Sequence, residues 1–294
     1  MNLWNQKFSP MLLSEIDKPF DSKDYIYEIK YDGIRALIYV DGKNIRIINR
    51  NLIDMTNTFP ELDYLKNKVN KKVIFDGEII AEVDGKPSFS KLQNRIHLKN
   101  NSLIKKLSIS DPVTFIAFDC IYEDKNLTNL PLYKRKEYLN KYEDDNSFIK
   151  SIWIKEKGVN LFNKIKDLDL EGIVAKRYDG KYYINKRTDE WIKIKNYKTE
   201  EFFIGGYVIK KSKFVISVLL GEFIDNKLYY VGNMALSKKN KIYNELIKQN
   251  TSKNYFVNYK KDANFVKPLL KIKVSYIERT KNNNLRQPFI SHNV

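Results

Sequence analysis

The sequence predicts a two-domain protein in which the larger domain mixes helices with strands and the smaller domain is mostly β. Over the first two hundred residues, apolar positions recur with a helical period in some segments and alternate as in strands in others. Beyond residue 200 the pattern becomes short strands with turn residues between them. We expect an α+β or α/β domain at residues 1–198 and a β domain at 199–294, because the polar segment NYKTEE separates two apolar stretches.

The larger domain contains three segments with helical periodicity and several strand-like segments. The helical segments are FPELDYLKNKV (59–69), PLYKRKEYLNKY (131–142) and GVNLFNKIKDLDL (158–170). The strand-like segments are DYIYEIKYDGIRALIYVDGKNIRIINR (24–50), KKVIFDGEIIAEV (71–83), VTFIAFDCIY (113–122), EGIVAKRY (171–178) and WIKIKN (191–196). In the first of these, Asp41-Gly42 predicts a tight turn between two strands.

The smaller domain is expected to be a small, basic, mostly β domain. Its strand-rich region begins with EEFFIGGYVIKKSKFVISVLLGEF at residues 200–223. One stretch with helical periodicity, KKNKIYNELIKQN at 238–250, interrupts the strands. A five-stranded oligonucleotide-binding barrel fits the size and the charge of this region.

The composition excludes several classes of protein and favours a polyanionic partner. A single cysteine excludes a disulfide framework and a cysteine-based zinc cluster, and two histidines leave little for histidine-metal chemistry. No apolar run reaches the length of a membrane span, and the N-terminus lacks a secretory signal. The net charge is +17, of which residues 201–294 contribute +11, so nucleic acid is favoured over a membrane surface. A lysine- and asparagine-rich codon bias is the alternative origin of that charge.

Charged side chains alternate along segments that otherwise resemble buried strands. In EIKYDGIR, residues 28–35, Glu28, Lys30 and Asp32 are expected on one face of a strand, opposite tyrosine and isoleucine. Any one such pattern is usually a solvated sheet face. The pattern recurs, with a glycine beside the charges in three segments, at Asp76 and Glu78, at Val174 and Lys176 after Glu171, and at Lys193 and Lys195. This recurrence favours a polar site on a sheet.

The mixture of lysines and carboxylates suits nucleotide chemistry. A lysine attacks phosphorus only as the neutral amine, and nearby cations or desolvation can lower its pKa. We expect Lys193, Lys195 and a bound metal to supply the positive charge around Lys30. The same cations would hold a phosphate and stabilise the charge that develops on it. Carboxylates such as Glu78 and Glu171 suit a hard cation like Mg²⁺, which takes few protein ligands. The residues therefore predict a phosphate-binding site on a sheet.

Six short segments in order resemble one superfamily. EIKYDGIR looks like the Lys-x-Asp-Gly motif of the covalent nucleotidyltransferases, which are ATP-dependent DNA ligases, RNA ligases and mRNA-capping guanylyltransferases. The pieces INRN, FDGEI, FIAFD, EGIVAKR and WIKIK follow in the matching order, so the motifs span residues 28–195. The segments LDLEGIVAKR and WIKIKNYKTEEFFIGGY, together with LRQPF around Arg286, most resemble the ligase module of bacterial non-homologous end-joining enzymes.

The resemblance implies a role for each matching residue. Lys30 would attack the α-phosphate of ATP and carry the AMP, and Glu78 and Glu171 would bind the metal. The other residues implied in ATP binding are Glu28 at the adenine amino group, Phe118 against the ring, Arg35 and Arg50 at the ribose or the 5′-phosphate of a nick, Glu78 at the ribose, and Lys193 and Lys195 at the α-phosphate. The alternative for Phe118 is a position in the hydrophobic core, and the alternative for Arg50 is a surface position on a strand. Lys176 has no assigned role.

The resemblance also implies the fold and the activity. It selects the α+β class: an adenylation domain of antiparallel sheets with flanking helices, followed by an OB-fold β-barrel that binds DNA. The implied enzyme is an ATP-dependent DNA ligase that seals 5′-phosphate/3′-hydroxyl nicks through a lysyl-AMP and an adenylylated DNA, in DNA repair or end joining, with Mg²⁺ or Mn²⁺. The alternatives are a capping guanylyltransferase that uses GTP, an RNA ligase, and a nucleic-acid-binding module without catalysis.

The resemblance finally implies a setting for this activity. We expect a monomer that acts on nicked double-stranded DNA in the bacterial cytoplasm, at the nucleoid and away from membranes. For end joining, a Ku-like end-binding protein is the expected type of partner. The sequence shows no additional DNA-binding, nuclease or polymerase segment, so a minimal ligase is expected.

Overall fold

The computed structural model describes residues 3–83, 85–209, 214–249 and 253–291. The chain divides into two compact units, Met1–Asn196 and Tyr197–Val294. Each unit has a hydrophobic core of its own. Within the described ranges, no helix is both long enough and apolar enough to cross a membrane.

Strands of the first unit form two larger sheets. In chain order the strands are β1 (Leu12–Glu15), β2 (Ser22–Ile29), β3 (Ile34–Val40), β4 (Ile45–Asn49), β5 (Val73–Ile80), β6 (Glu82–Val83), β7 (Lys86–Pro87), β8 (Thr114–Glu123), β9 (Lys125–Asn126), β10 (Phe148–Lys150), β11 (Trp153–Glu156), β12 (Gly172–Arg177) and β13 (Arg187–Lys195). Sheet I has the order β1-β13-β12-β2-β11, and sheet II has the order β10-β8-β5-β3-β4 with β9 beside β8. Strands β6 and β7 form a separate hairpin. The pairs β1–β13 and β10–β8 are parallel, and the other pairs within sheets I and II are antiparallel.

Helices accompany these sheets. The α-helices of the first unit are α1 (Phe89–Ile96), α2 (Asn101–Ser110), α3 (Leu132–Leu139) and α4 (Gly158–Asp167), and 3-10 helices lie at Leu3–Asn5, Thr56–Thr58 and Pro60–Lys68. The helices predicted over 131–142 and 158–170 are confirmed as α3 and α4, and the one over 59–69 is a 3-10 helix. The sequence patterns missed α1 and α2, because each is short and buries few apolar side chains.

The apolar side of sheet I packs against helix α4. Ile192 and Ile194 of β13 lie in a buried cluster with Ile165 of α4. Side chains alternate along a strand, so Lys193 and Lys195 lie on the other side of sheet I. The predicted opposition of isoleucines and lysines in WIKIKN is therefore confirmed.

Sheet II has an apolar core on each of its faces. On one face, Phe75 and Phe115 pack with Leu62 of a 3-10 helix. On the other face, Leu37 lies in a cluster with Trp191 of sheet I. The two sheets therefore face each other, and the side of sheet I that carries Trp191 and the lysines of β13 is the side that faces sheet II.

EIKYDGIR is not one continuous strand, so that prediction is wrong. Strand β2 ends at Ile29 and β3 begins at residue 34, and Lys30 and Asp32 lie in the connection that crosses from sheet I to sheet II. The crossing is tight at Gly33, where a Cβ atom would lie 2.3 Å from a backbone carbonyl oxygen of β5. The alternation of charged residues therefore continues past Ile29, where β2 ends, into the crossover between the two sheets.

The first three strands of the second unit are ten to twelve residues long, which corrects the expectation of short strands there, and the later strands are short. Its strands are β14 (Lys198–Ile209), β15 (Val215–Ile224), β16 (Lys227–Ser237), β17 (Asn264–Phe265), β18 (Lys271–Tyr276) and β19 (Phe289–Ile290). They form an antiparallel sheet of order β16-β15-β14-β18-β19 with β17 beside β14. Glycines such as Gly205 and Gly221 resemble turn residues in the sequence, but they lie inside strands, next to register shifts that bend the sheet. The predicted helix is confirmed as α5 (Lys241–Lys248).

A substitution at Gly77 of β5 tests the packing of sheet II. A Cβ atom at Gly77 would lie 2.3 Å from Cζ of Phe115 and 2.5 Å from the carbonyl oxygen of Ile116. We expect Gly77→Ala to lower the free energy of unfolding by about 1–3 kcal/mol, the usual cost of an overpacked core. Urea denaturation followed by circular dichroism measures this loss.

Gly85→Ala is the matched control for this experiment. A Cβ atom at Gly85 would meet no atom within 4 Å, so its cost comes only from the positive φ of 74°. Equal losses of stability in the two variants would show that crowding at Gly77 is not what the alanine disturbs.

Candidate active site

A cleft opens between the facing sides of sheets I and II. Its cavity volume is about 60 Å³, so the cleft is narrow. Its lining comes from both sheets and from the crossover: Leu13, Glu28, Ile29, Lys30, Tyr31, Arg35, Glu78, Phe118, Val174, Lys176 and Trp191. The structure thus brings together five residues that the sequence assigned to nucleotide chemistry, namely Glu28, Lys30, Arg35, Glu78 and Phe118.

Lys30 lies in this cleft beside Glu171. Its backbone N–H donates to the carbonyl oxygen of Gly172 at 2.9 Å, and its Nζ donates to Oε2 of Glu171 at 2.8 Å. Burial lowers the pKa of Lys30, but the carboxylates of Glu171 and Glu78 outweigh burial and hold the pKa above its usual value. The charges nearest to Lys30 within the protein are negative, and a lowered pKa beside Lys193, Lys195 and a bound metal stays a prediction.

Glu78 of β5 is the second carboxylate near Lys30. Burial raises the pKa of Glu78 to about 8, and the charges of Lys30 and Arg35 oppose this rise only in part. Among the described residues, no side chain donates a hydrogen bond to its carboxylate. A divalent cation would stabilise the ionised form of such a group.

The donor set fits a cation that takes few protein ligands. Glu78 and Glu171 both act electrostatically on Lys30, so the two carboxylates belong to one site. Among the described residues, no group of three or more histidine, cysteine, aspartate or glutamate side chains could hold a metal. Mg²⁺ usually takes one or two carboxylates and completes its shell with water and substrate phosphates. The residues present therefore fit such a cation.

Glu28 is buried in a network of three donors. Its side chain is only 2% exposed. Lys136 of α3 donates to Oε1, and Ser151 and Lys176 donate to Oε2 at 3.0 and 2.8 Å. Burial disfavours ionisation, but the two lysines outweigh it and lower the pKa of Glu28 below its usual value. The network therefore presents an ionised acceptor in a fixed orientation.

Lys176 has an aromatic environment that the sequence did not reveal. Its Nζ lies 4.0 Å from the ring centroid of Phe118 and 4.1 Å from that of Trp191. Burial lowers the pKa of Lys176 to about 8, although Glu28 opposes the change. Sequence reasoning left Lys176 without a role and gave none to Trp191. The signal that could have linked them is strand register, because Lys176 and Trp191 are directly opposite in the β12–β13 pair.

The guanidinium group of Arg35, on β3, is held in place by Asp76 of the neighbouring strand β5. Its Nε donates to Oδ1 of Asp76 at 3.0 Å and its Nη2 to Oδ2 at 2.7 Å, and the Tyr182 hydroxyl donates to Oδ2 at 2.7 Å. The guanidinium carbon lies 5.4 Å from the ring centroid of Phe118 and 5.3 Å from that of Trp191. Arg35 is thus fixed by a bidentate ion pair and two aromatic rings.

A β-bulge directs Phe118 toward the cleft. In the β5–β8 pair, Asp119 is opposite Asp76 and Ala117 is opposite Gly77, which leaves Phe118 as the extra residue between them. A bulge of this kind turns the extra side chain away from the regular alternation. Phe118 therefore lines the cleft and also packs against the core cluster that contains Leu37 and Trp191.

Three residues that the sequence assigned to ATP binding lie outside the lining of the cleft. Lys193 pairs with Oε2 of Glu15 at 2.8 Å. Lys195 follows on the same strand, and burial lowers its pKa. Arg50 is exposed in the turn after β4, and its backbone N–H donates to the carbonyl oxygen of Arg35 at 3.2 Å. The two lysines share one face of β13 with Trp191, which does line the cleft.

The chain has the mixed α+β fold of the nucleotidyltransferase-like ligases. It is similar to the structure described as "mycobacterial DNA ligase D complexed with ATP and MES", with a TM-score of 0.60 and 25% identity over 98% of this chain and 94% of that one. A Lig E DNA ligase, described as a minimal scaffold for DNA binding, has a TM-score of 0.62 at 18% identity and covers 95% of this chain and 98% of its own. The predicted α+β class is confirmed.

The family follows from a direct match of the sequence. A family model described as "ATP dependent DNA ligase domain" matches residues 10–195. The chain belongs to this family, and its enzyme class is that of an ATP-dependent DNA ligase. The predicted superfamily and enzyme class are therefore confirmed.

Curated relatives carry the same kind of name. The SPbeta prophage-derived DNA ligase-like protein LigB of Bacillus subtilis is 35% identical over 71% of this chain and 75% of that protein. DNA ligase C1 of Mycolicibacterium smegmatis is 33% identical over 77% of this chain and 68% of its own length. The multifunctional non-homologous end joining protein LigD of the same organism is 29% identical over 96% of this chain, which spans 38% of that larger protein.

Lys136→Met tests the network that orients Glu28. The variant removes the donor to Oε1 of Glu28 but keeps the size of the side chain. We expect the free energy of unfolding to fall by about 1–3 kcal/mol, because a buried charged group loses one partner. Urea denaturation measures the loss, and Lys134→Met on the same helix is the control.

The control separates the network from the helix that carries it. Lys134 is exposed and pairs with Glu137 across one turn of α3, so its removal should leave stability unchanged within error. A loss at Lys134 equal to that at Lys136 would trace the effect to the helix and would contradict a specific role for the donor to Glu28.

Proposed function

We propose that the chain seals 5′-phosphate/3′-hydroxyl nicks in duplex DNA with Lys30 as its covalent nucleophile. The observation that carries this proposal is the position of the Lys30 amine, which lies in a cleft lined by both sheets and is hydrogen-bonded to Glu171. Membership of the ATP-dependent DNA ligase family supports ATP as the donor of AMP and DNA as the substrate. Relatives named for non-homologous end joining support a setting in DNA repair or end joining.

The first step would move AMP from ATP to Lys30. The lone pair of Nζ forms a bond to the α-phosphorus, and the bond from that phosphorus to the bridging oxygen of the β-phosphate breaks, so pyrophosphate leaves with the electron pair. Lys30 must first lose a proton, and Oε2 of Glu171, at 2.8 Å, is the acceptor within reach. Lys193 and Lys195, on the inner face of sheet I, would hold the α-phosphate.

The purine and the ribose would lie against the walls of the cleft. The oriented carboxylate of Glu28 is suited to accept a hydrogen bond from the adenine amino group, and the ring of Phe118 offers a surface for stacking. Arg35, fixed in the cleft by its ion pair, would contact the ribose or the phosphate, and Glu78 would contact the ribose. Arg50 stands outside the cleft and suits the 5′-phosphate of the nick.

Two further steps would complete the sealing of the nick. In the second step, an oxygen of the DNA 5′-phosphate attacks the phosphorus of the lysyl-AMP, the N–P bond breaks, and its electrons return to the Lys30 amine. In the third step, the 3′-hydroxyl oxygen attacks the activated 5′-phosphorus, AMP leaves with the electron pair, and the hydroxyl proton is lost to solvent. Atoms and charge balance with one ATP consumed and one phosphodiester bond formed.

Mg²⁺ is the proposed metal, and Mn²⁺ is the expected substitute. Glu78 and Glu171 would hold it, since both carboxylates lie close enough to Lys30 to act on its charge. When bound, the cation supplies positive charge beside the phosphates of ATP. The small number of carboxylates supports a cation that keeps several waters.

The second unit is proposed to be an OB-fold domain that binds DNA. We assign residues 1–198 to adenylation and residues 199–294 to DNA binding. The bent antiparallel sheet of β14 to β19 and its helix α5 support a barrel of this type. The net charge of +11 on residues 201–294 supports contacts with the phosphate backbone.

We propose a simple assembly for the enzyme in the cell. It would act as a monomer on nicked double-stranded DNA in the bacterial cytoplasm, at the nucleoid. A Ku-like end-binding protein is the proposed partner when the substrate is a broken end. The end-joining names of the LigD relatives support this partner.

Labelling of Lys30 tests the proposed nucleophile. Wild type and Lys30→Ala are incubated with α-labelled ATP or GTP and Mg²⁺ and then separated on a denaturing gel. We expect wild type to carry label from ATP that survives denaturation, and Lys30→Ala to carry none, because the N–P bond is covalent. Lys134→Ala, an exposed lysine of α3, is expected to label like wild type.

The other outcomes each exclude the proposal in a different way. Label from GTP alone would indicate a capping enzyme. Label that remains in Lys30→Ala would place the nucleophile elsewhere. Protein that is freed of nucleotide and takes label from neither would be a binding module, and preference for nicked RNA over nicked DNA after labelling would indicate an RNA ligase.

Mn²⁺ binding tests the role of Glu78 without relying on catalysis. Free Mn²⁺ is measured by electron paramagnetic resonance in the presence of a non-transferable ATP analogue. We expect Glu78→Gln to weaken Mn²⁺ binding by at least about tenfold, the smallest loss usual for groups around a metal. Glu82→Gln, at an exposed position on β6, is the control and should bind like wild type. Unchanged binding in Glu78→Gln would remove Glu78 from the metal site.

A further inference from the structure

The turn after β4 exposes two neighbouring aliphatic side chains. Leu52 is 43% exposed and Ile53 is 58% exposed, and Arg50, just before them, is exposed as well. Single exposed aliphatic residues are common on protein surfaces. Here two stand together beside a cation, so this surface offers apolar and positive groups to the same partner.

Leu52 also has a backbone conformation that leucine rarely adopts. Its φ is +65°, in the left-handed region where the Cβ atom crowds the following carbonyl oxygen. Every other non-glycine residue with positive φ in the described ranges is an aspartate, glutamate, asparagine or glutamine. Asparagine is a residue type that adopts this backbone conformation more readily, so leucine is unfavourable at this position. Strain of this kind is concentrated at functional sites.

Hydrogen bonds hold the turn in this strained shape. Oδ1 of Asn49 accepts from the backbone N–H groups of Asn51 and Ile53 at 2.9 and 3.0 Å. The backbone N–H of Leu52 donates to the carbonyl oxygen of Asn49 at 3.0 Å, and the N–H of Asn49 donates to the carbonyl oxygen of Ile53 at 3.0 Å. The backbone is thus well bonded while both aliphatic side chains point into solvent.

The turn lies at the edge of the cleft. Strand β4 is the edge strand of sheet II and pairs with β3. The backbone N–H of Arg50 continues this pairing with the carbonyl oxygen of Arg35, which lines the cleft. Directly opposed residues of antiparallel strands share a face, so Arg50 and Arg35 are on the same side of sheet II. The Ser9 hydroxyl donates to the Arg50 carbonyl oxygen at 2.8 Å and ties the turn to the N-terminal segment.

We propose that Leu52 and Ile53 form an apolar contact with nicked duplex DNA, against the sugars and base edges beside the break, while Arg50 binds a phosphate. This inference rests on the proposed nick-sealing function. Duplex DNA is the occupant that charge complementarity favours, because a cation adjoins the pair and the chain carries a net charge of +17. Proteins often place aliphatic side chains against nucleotide sugars and base steps, which adds affinity without adding charge.

Leu52→Asn is the decisive variant. Asparagine relieves the left-handed backbone and at the same time removes the aliphatic side chain. It is compared with wild type, with Ile53→Asn and with Ile109→Asn, a control residue on α2 that is 79% exposed. For each protein we would measure the midpoint of thermal unfolding, the labelling of Lys30 without DNA, the Kd for a nicked duplex at several salt concentrations, and single-turnover sealing.

The expected result separates DNA contact from stability. Leu52→Asn should unfold at the wild-type temperature or higher and label Lys30 at the wild-type rate. It should bind the nicked duplex about tenfold more weakly, the effect expected when part of a leucine contact is lost, and it should seal more slowly at subsaturating DNA. Ile53→Asn should show the same loss in binding, and Ile109→Asn should show none.

Salt dependence distinguishes the apolar contact from the ionic one. In Leu52→Asn the slope of log Kd against log salt should equal that of wild type, because no charge has changed. Arg50→Ala should reduce the slope by about one. A changed slope in Leu52→Asn would contradict an apolar contact.

Several results would overturn the inference. Unchanged nick binding and sealing in both Leu52→Asn and Ile53→Asn would do so, and so would loss of Lys30 labelling together with lower stability, which would make the turn structural. Reduced self-association with unchanged nick binding would assign the turn to a second copy of the chain. If wild type neither labels nor seals, the proposed function fails and this inference falls with it.

Discussion

The pairing of buried charges between two apolar sheets is the constraint on which the cleft depends. A buried carboxylate stays ionised only beside a cation, because the interior does not solvate it. Asp76 meets this condition through Arg35, and Asp119 meets it through Arg135, a pair in which both side chains are fully buried. Removal of either partner would leave a charge in apolar surroundings. The walls of the cleft are therefore fixed by electrostatics as firmly as by packing.

Glu78 departs from this pattern, because no described side chain donates a hydrogen bond to its carboxylate. Its pKa is raised to about 8 by burial, while the other carboxylate beside Lys30, that of Glu171, already accepts the lysine. The charges of Asp76 and Asp119 are thus neutralised within the protein. The carboxylates of Glu78 and Glu171, beside Lys30, can be neutralised by a cation that binds with the substrate. This division suits an enzyme whose substrate brings several negative charges and a metal of its own.

Local pattern predicted the regular parts of the fold, and its failures have physical causes. Alternation placed Ile192 opposite Lys193 correctly, because a half-buried strand orders its side chains in only one way. It failed at Lys30, since nothing in the neighbouring residues distinguishes an alternating crossover from a strand. Glycines inside β14 and β15 suggested turns where the structure has bulges. Lys136 and Ser151, the partners of Glu28, were beyond sequence reasoning because they lie 108 and 123 residues away.

The crossover position of Lys30 ties chemical competence to the completion of folding. The residue leaves sheet I and enters sheet II, and its partner Glu171 is 141 residues further along the chain. A nascent chain that has made only the first strands therefore holds the lysine without its surroundings. Such a chain has not formed the cleft, because neither sheet alone supplies its lining. The surroundings of this lysine therefore report whether the whole first unit, Met1–Asn196, has folded.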